Sequence, residues 1–172
     1  MFFHVRDLEV RAGRFDVEWT PGVVEFLDPK LRQTGPLRAE GEAELVTGSR
    51  DEIRAHGHVF VRIESECDRC LELAELAVDS DFELYYRPVV DGFGEEKAID
   101  PGEAEMGFYE GEGLELGDVL REYILLALPM QRLCQQDCQG ICPQCGQNRN
   151  QNQCGCHAEM LDDRWAALKK IQ

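Results

Sequence analysis

Eight cysteines carry the chemistry this sequence offers, and six of them, Cys134, Cys138, Cys142, Cys145, Cys154 and Cys156, fall within 23 residues. Cys142-Pro143-Gln144-Cys145-Gly146 has the form of a zinc knuckle. Two thiolates two residues apart on a tight turn reach one tetrahedral ion, and the glycine lets the backbone fold back so that amide donors face the sulfurs. Cys134 with Cys138, and Cys154 with Cys156, offer candidates for the two remaining ligands, so that four of the six are expected to share an ion. His157 adjoins the last pair and could also ligate, although a solvated neighbour is the simpler reading. Upstream, Cys67-Asp68-Arg69-Cys70 repeats the knuckle spacing. Its competing readings are a buried structural thiol at Cys67 and a redox pair, which would need the C-x-x-C to open a helix whose N-terminal dipole lowers the thiol pKa.

Spacing leaves two arrangements open. In one, the tail holds its own ion with Cys142, Cys145 and two of the flanking four cysteines. In the other, Cys67 and Cys70 share an ion with a tail pair and staple the tail to the chain upstream. Either way, a segment rich in Gln and Asn with almost no apolar residues needs an outside source of free energy to become ordered. A structural zinc site contributes on the order of 10–16 kcal/mol in small peptides. Iron–sulfur ligation is the rival metal reading, since thiolates alone do not identify the ion; knuckle turns favour zinc.

Catalysis finds little to work with. A closed four-thiolate site leaves no position for water, so its ion is structural. His56 and His58 share one face of a strand and could hold a metal beside a carboxylate, but polar alternation on a wet sheet face accounts for them more simply. There is no P-loop, dinucleotide glycine fingerprint, nucleophile elbow or paired-His motif. The chain is expected not to be an enzyme.

The elements that must position these cysteines are legible as strands. Leu37, Ala39, Gly41, Ala43 and Leu45 alternate with Arg38, Glu40, Glu42 and Glu44, the period of two of a half-buried strand. A second alternation runs from Ile53 to Ser65 and should pair with the first as an antiparallel hairpin. The next apolar series begins on odd positions, Leu71 and Leu73, and moves to even ones from Leu76, which predicts a bulge or turn near Ala74–Glu75. Phe2–Val5 and Phe15–Trp19 are candidate edge strands. Asp118 is a candidate N-cap for a helix over Val119–Leu128, stopped by Pro129. A last short helix is predicted from Asp162 or Asp163 through Trp165, Leu168 and Ile171. The expected fold is α+β: an antiparallel meander or open, barrel-like sheet with a packed helix and a Cys-rich tail. The core is expected over 1–128, with an acidic, flexible loop at 90–112, and the metal-binding tail over 129–172.

Charge narrows the partners. The 172 residues carry a formal net charge of −16, the opposite of what bulk phosphate neutralisation requires. Ten acidic residues against Lys97 and Arg121 lie between Glu95 and Glu122. From Pro129 onward, Arg132, Arg149, Arg164, Lys169 and Lys170 slightly outnumber the acidic residues, so these five are the candidates for RNA contact. The acidic middle could attract a basic partner, or simply be a solvated face. Met1–Val10 builds neither a secretory h-region nor a membrane span, since Arg6 and Asp7 interrupt it. A cytoplasmic location is expected, where thiols stay reduced and clustered cysteines are metal ligands rather than disulfides.

Taken together, the two cysteine blocks resemble the YceD family of large ribosomal RNA subunit accumulation proteins. The resemblance is carried by Cys67, Arg69, Cys70 and Leu71, followed by a stretch ending in Phe82–Tyr86. Leu128-Pro129, the run from Cys134 to Cys156, and a closing Asp162, Arg164 and Leu168 complete it. Gln147–Asn150 departs from the usual pattern of a Leu between two asparagines, and Asp163 stands where a proline is usual; neither is expected to touch a candidate ligand. The resemblance implies a role in making or retaining 23S ribosomal RNA, as an assembly or processing factor for the large subunit, often beside the gene for a small basic ribosomal protein. It leaves two modes of action: contact with RNA through the basic tail, or chaperone-like binding of a basic large-subunit protein through the acidic middle. A redox protein acting through Cys67 and Cys70 is a third class.

Overall fold

The computed structural model describes residues 1–89 and 106–156. Two compact units emerge: one comprises Met1–Ser65 and Glu75–Met130, the other Glu66–Ala74 together with the chain from Gln131. This division differs from a simple split at 128/129 in grouping Glu66–Ala74 with the tail.

The first unit is mostly sheet. Strands β2 (Gly13–Trp19), β4 (Leu37–Leu45), β5 (Ile53–Glu66), β6 (Leu73–Pro88) and β7 (Met106–Tyr109) are neighbours in that order, and the short β3 (Arg32–Gln33) pairs with β5 beyond the end of β4. β4 and β5 form the expected antiparallel hairpin, in register from Leu45↔Ile53 to Arg38↔Phe60. Leu37, Ala39, Ala43, Ile53, Ala55, Val59, Val61 and Ile63 are buried, and the intervening polar residues face the other way, as alternation demands. Cross-strand pairs line the polar face: Arg54 bridges Glu44 and Glu83, each at 2.9 Å, and Arg38 meets Glu18 at 3.0 Å. Exposed pairs of this kind contribute about 0–1 kcal/mol each, so apolar burial on the opposite face does most of the stabilising.

Two glycines shape the centre of this sheet. Gly41 and Gly57 are opposite one another, and a Cβ at either would lie 2.2 Å from a backbone carbonyl of the partner strand. Phe15, opposite Gly41 on β2, lays its ring where a Gly41 side chain would stand and stacks on Phe82 at 6.4 Å and 18°. The missing side chain at Gly41 makes room for an aromatic pair that spans from β2 to β6, while Gly57 lets the backbones of β4 and β5 approach.

Among the described residues β2 and β7 end the strand order without pairing to each other, so the sheet is open, as expected, and does not close into a barrel. Three differences have physical causes. β7 pairs parallel to β6, an arrangement that needs a connection of a dozen or more residues, and the length comes from the acidic stretch read as a loop. Of that stretch, 90–105 lie outside the described residues, whereas Met106–Tyr109 is strand and Gly113–Glu115 is β8, paired with β1 (Phe2–His4) in a separate two-stranded sheet. A four-residue helix α1 (Val5–Leu8) follows β1.

Helix α2 runs Leu116–Ala127, one turn earlier than expected, with Glu115 at its N-cap and no side-chain cap bond. Asp118 therefore sits inside the first turn, where it favours the helix dipole and pairs with Arg121 at 2.8 Å. Leu116, Val119, Leu120 and Ile124 are buried and belong to the same apolar cluster as the buried residues of β2, β4, β5 and β6. Leu128, held extended by the following Pro129, ends the helix. The short helix expected at the C-terminus lies outside the described residues.

Candidate metal centres

The second unit is built on two copies of one turn. In Cys67–Glu72 the N–H of Cys67 donates to the carbonyl of Glu72 at 2.8 Å, and that of Leu71 to the carbonyl of Cys67 at 3.0 Å. In Cys142–Gln147 the N–H of Cys142 donates to Gln147 and that of Gly146 to Cys142, both at 2.8 Å. The residue after the second cysteine takes a left-handed conformation in each, φ 63° at Leu71 and 73° at Gly146. Glycine adopts this freely; leucine does so at a cost of about 1–2 kcal/mol. The sequence signal at Leu71 was therefore misleading: the odd-to-even shift marks the knuckle at 67–72, not a bulge at Ala74–Glu75. Leu71 and Leu73 are exposed, and β6 buries even positions from Ala74 onward.

The eight cysteines fall into two groups, Cys67, Cys70, Cys134 and Cys138, and Cys142, Cys145, Cys154 and Cys156, each with its four sulfurs within 4.8 Å of one another. Two spacings in the first group are 3.7 Å, Cys67 to Cys138, and 3.5 Å, Cys70 to Cys134. A disulfide would require about 2.05 Å, and all eight are free thiols. Tetrahedral bonds of about 2.3 Å place sulfurs about 3.8 Å apart, so each group could hold a metal ion. The two arrangements left open by spacing thus both occur: an upstream pair joined to a tail pair, and a set within the tail alone.

Proton affinities within the groups are uneven. Burial pushes the Cys67 thiol up, but the N–H groups of Cys70, Arg69 and Cys134 together outweigh it and hold it at about 6. The N–H groups of Cys145 and Gln144, with the Cys154 thiol, hold Cys142 at about 6. The Asn150 amide, 3.2 Å from its sulfur, leads the groups that lower Cys138. In compensation, Cys134 is pushed up to about 12, chiefly by its bond to Cys70, and Cys156 to about 12 by its bond to Cys145. Cys70 is raised by burial and Cys154 by its bond to Cys142. Four thiols this close cannot all ionise without a cation among them, so a metal entering either group displaces protons.

Around the first group, Arg132 donates its backbone N–H to Asp68 at 2.7 Å, and Asp68 donates its own to the Arg132 carbonyl at 2.8 Å. The Arg69 guanidinium donates to the Cys138 carbonyl at 3.0 Å, and the N–H of Ile141 to the Arg69 carbonyl at 3.0 Å. The sequence reading missed Asn150, whose side chain also accepts from the Gln139 N–H at 2.7 Å, because nothing in a polar Asn- and Gln-rich run singles out one amide. It also missed Glu72, which accepts from Asn148 at 3.4 Å.

Cys70 leads into β6 rather than a helix, so no helix dipole acts on this C-x-x-C. Of the candidate RNA contacts, Arg149 is exposed and Arg132 partly so; Arg164, Lys169 and Lys170 lie outside the described residues, as does His157. Among the described residues His56 and His58 belong to no group that could hold a metal ion. His58 spends both ring nitrogens on Asp81 at 2.8 Å and Asp79 at 3.0 Å, and His56 Nδ1 is buried without a hydrogen-bond partner. No helix among the described residues is long and apolar enough to cross a membrane.

A family model described as "Large ribosomal RNA subunit accumulation protein YceD" matches residues 55–172. An uncharacterized protein of Mycobacterium bovis and two from strains of Mycobacterium tuberculosis are 33% identical over 138 residues, covering 78% of this chain and 59% of each relative. The chain therefore spans about three fifths of the length of these curated relatives. No solved structure matches. The match runs from β5 through both knuckles and takes in all eight cysteines, and on it the chain belongs to the YceD family of large ribosomal RNA subunit accumulation proteins.

Proposed function

We propose that this chain is a non-enzymatic, cytoplasmic factor that promotes the accumulation or processing of 23S ribosomal RNA during large-subunit assembly, with structural zinc in its cysteine groups. An α+β core over 1–128 and a metal-binding tail over 129–172 are its working parts. The observation that carries the reading is the family match over a segment whose cysteines gather into two four-thiol sets. Four thiolates close the coordination sphere of zinc and leave no position for a substrate or water, which fits a rigid scaffold for contacts. Arg132, Arg149, Arg164, Lys169 and Lys170 are the residues offered for RNA. The decisive experiment follows ribosomal RNA in cells lacking the protein. A fall in 23S relative to 16S RNA, with precursors or incomplete large particles accumulating, is expected; unaltered large-subunit RNA overturns the reading.

Charge favours a second mode of action within the same role, chaperone-like binding of a basic large-subunit protein. A zinc ion among four thiolates carries a net of about two negative charges, so filling both groups makes a chain already at −16 a still poorer polyanion binder. The modes separate by salt dependence. Binding to a 23S fragment that weakens steeply with salt and is lost on charge reversal of Arg132 and Arg149 supports RNA contact. Binding of the basic protein alone, undisturbed by those changes, supports the chaperone mode.

A further inference from the structure

The two cysteine groups share a turn geometry and differ in everything that governs how a metal is released. In the first, Cys67 is 0%, Cys70 5% and Cys138 2% exposed, and these three pack with Ala74 and Leu133 in an apolar cluster of their own, while Cys134 is exposed. In the second, Cys142 is buried, Cys154 and Cys156 are half-buried and Cys145 is exposed. None of the second four belongs to an apolar cluster. The second group spans only Cys142 to Cys156, and the chain between its cysteines carries glycine, glutamine, asparagine, one proline and one arginine. Apart from its ion, that loop is held by backbone bonds and a few side-chain bonds such as Asn150 to Gln139 and Asn148 to Glu72, so removing the ion costs much of the geometry that would recapture it. An attacking chelator or thiol has access to Cys145, Cys154 and Cys156 of the second group, whereas in the first it meets Cys134 alone and must open the apolar cluster to reach the other three sulfurs.

The groups are nevertheless connected. Asn150, within the loop that the second group closes, donates its amide to Cys138 of the first at 3.2 Å and accepts from the Gln139 N–H at 2.7 Å. Beside it, the Arg149 N–H donates to the Gly140 carbonyl at 2.9 Å. Partners that hydrogen-bond a ligand sulfur set its orientation and basicity, and their loss costs about 10–100-fold in metal affinity.

We infer that Cys142, Cys145, Cys154 and Cys156 form an exchangeable metal site whose occupancy controls, through Asn150, how tightly the buried site of Cys67, Cys70, Cys134 and Cys138 keeps its own ion. The inference rests on the zinc reading above. It makes the tail responsive to zinc supply: the open site empties first, and its emptying loosens the buried one.

The test is zinc release from the full-length, zinc-loaded protein into excess 4-(2-pyridylazo)resorcinol, followed by absorbance. Two equivalents should leave in two resolved phases. Asn150→Ala, which removes no ligand, should keep the fast phase and raise the slow rate about tenfold. Cys145→Ser should abolish the fast phase and leave one equivalent departing at the Asn150→Ala rate. Cobalt in place of zinc should show thiolate charge-transfer absorption of two centres in the parent and in Asn150→Ala, and of one in Cys145→Ser. Two equivalents leaving in a single phase overturn the inequality alone. A slow phase that neither Asn150→Ala nor Cys145→Ser alters overturns the coupling. A protein that binds no zinc overturns the zinc reading and this inference with it.

Discussion

Leu71 holds a backbone conformation that suits glycine, yet 61% of its surface is exposed. Its strain is not repaid by burial, so Leu71→Gly should leave zinc stoichiometry unchanged. Relief of about 1 kcal/mol is set against the extra chain entropy of glycine at about 0.5–1 kcal/mol. Leu71→Val, adding a branch at Cβ, should lose about 1–2 kcal/mol instead. Urea unfolding of the zinc-loaded variants measures both, and a valine variant as stable as the parent would refute the assignment of a left-handed turn. His58 offers a second test at this scale. Its hydrogen bond to Asp81, with help from Asp79, raises its pKa above the ordinary 6.5. The folded value is the higher one, so the stabilisation is fully present below about pH 6.5 and disappears as pH rises through the folded value. The stability gap between the parent and His58→Asn should therefore be wider at pH 5.5 than at pH 8.5, and the imidazole titration, followed by NMR, should return toward 6.5 in an Asp79→Asn, Asp81→Asn double variant. A gap that widens with pH would reverse the assigned sign.

At the level of elements, the hairpin of β4 and β5 was legible because its alternation is strict on both strands and one face is buried, which makes register hard to mistake. Gly41 and Gly57 fitted that alternation as ordinary inward positions, but the real role of Gly41, making room for Phe15 against Phe82, depends on which strand lies beside β4. No local pattern reports that neighbour. The same holds for β7: its parallel pairing to β6 is non-local, and its four residues sit in a stretch whose charge and glycine content argue for loop. The knuckle spacing at Cys67 was visible in the sequence beside its redox and buried-thiol readings, whereas the choice of its partners, Cys134 and Cys138, was not, because three cysteine pairs were on offer downstream. The glycine pair gives a sharp test. A Cβ at Gly57 would lie 2.2 Å from the Glu40 carbonyl, in the middle of the β4–β5 ladder and against backbone that cannot swing away. Gly57→Ala should cost more than about 3 kcal/mol, beyond the usual range for a point change, while Gly35→Ala, where an added Cβ meets nothing within 4 Å, should change stability by about 0.5 kcal/mol or less. Equal midpoints in urea would mean that the two strands do not approach as described.

The whole molecule draws its order from two different sources. Met1–Ser65 and Glu75–Met130 share a continuous apolar cluster that runs from Phe3 to Leu128, and apolar burial of that extent sustains a sheet without assistance. Among the described residues, Glu66–Ala74 and the chain from Gln131 to Cys156 place only Cys67, Cys70, Ala74, Cys138 and Leu133 in an apolar cluster, too little to offset the backbone entropy of ordering that polar stretch at about 1–2 kcal/mol per residue. On the zinc reading proposed above, metal–sulfur bonds supply the difference. Chelation of the zinc-loaded protein should therefore abolish amide protection at Cys67, Leu71, Ile141, Cys142 and Gly146, whose N–H groups close the knuckles and tie them together, while the β4–β5 ladder between Ala39 and Val59 keeps its own. Hydrogen exchange before and after chelation reads both sets in one experiment. Loss of protection at Ala39 and Val59 along with the knuckles would show a single cooperative fold in which metal supports the sheet as well. Unchanged protection at Cys142 and Gly146 would show that the knuckles stand without an ion, and the free-energy argument for a structural metal would fall with them.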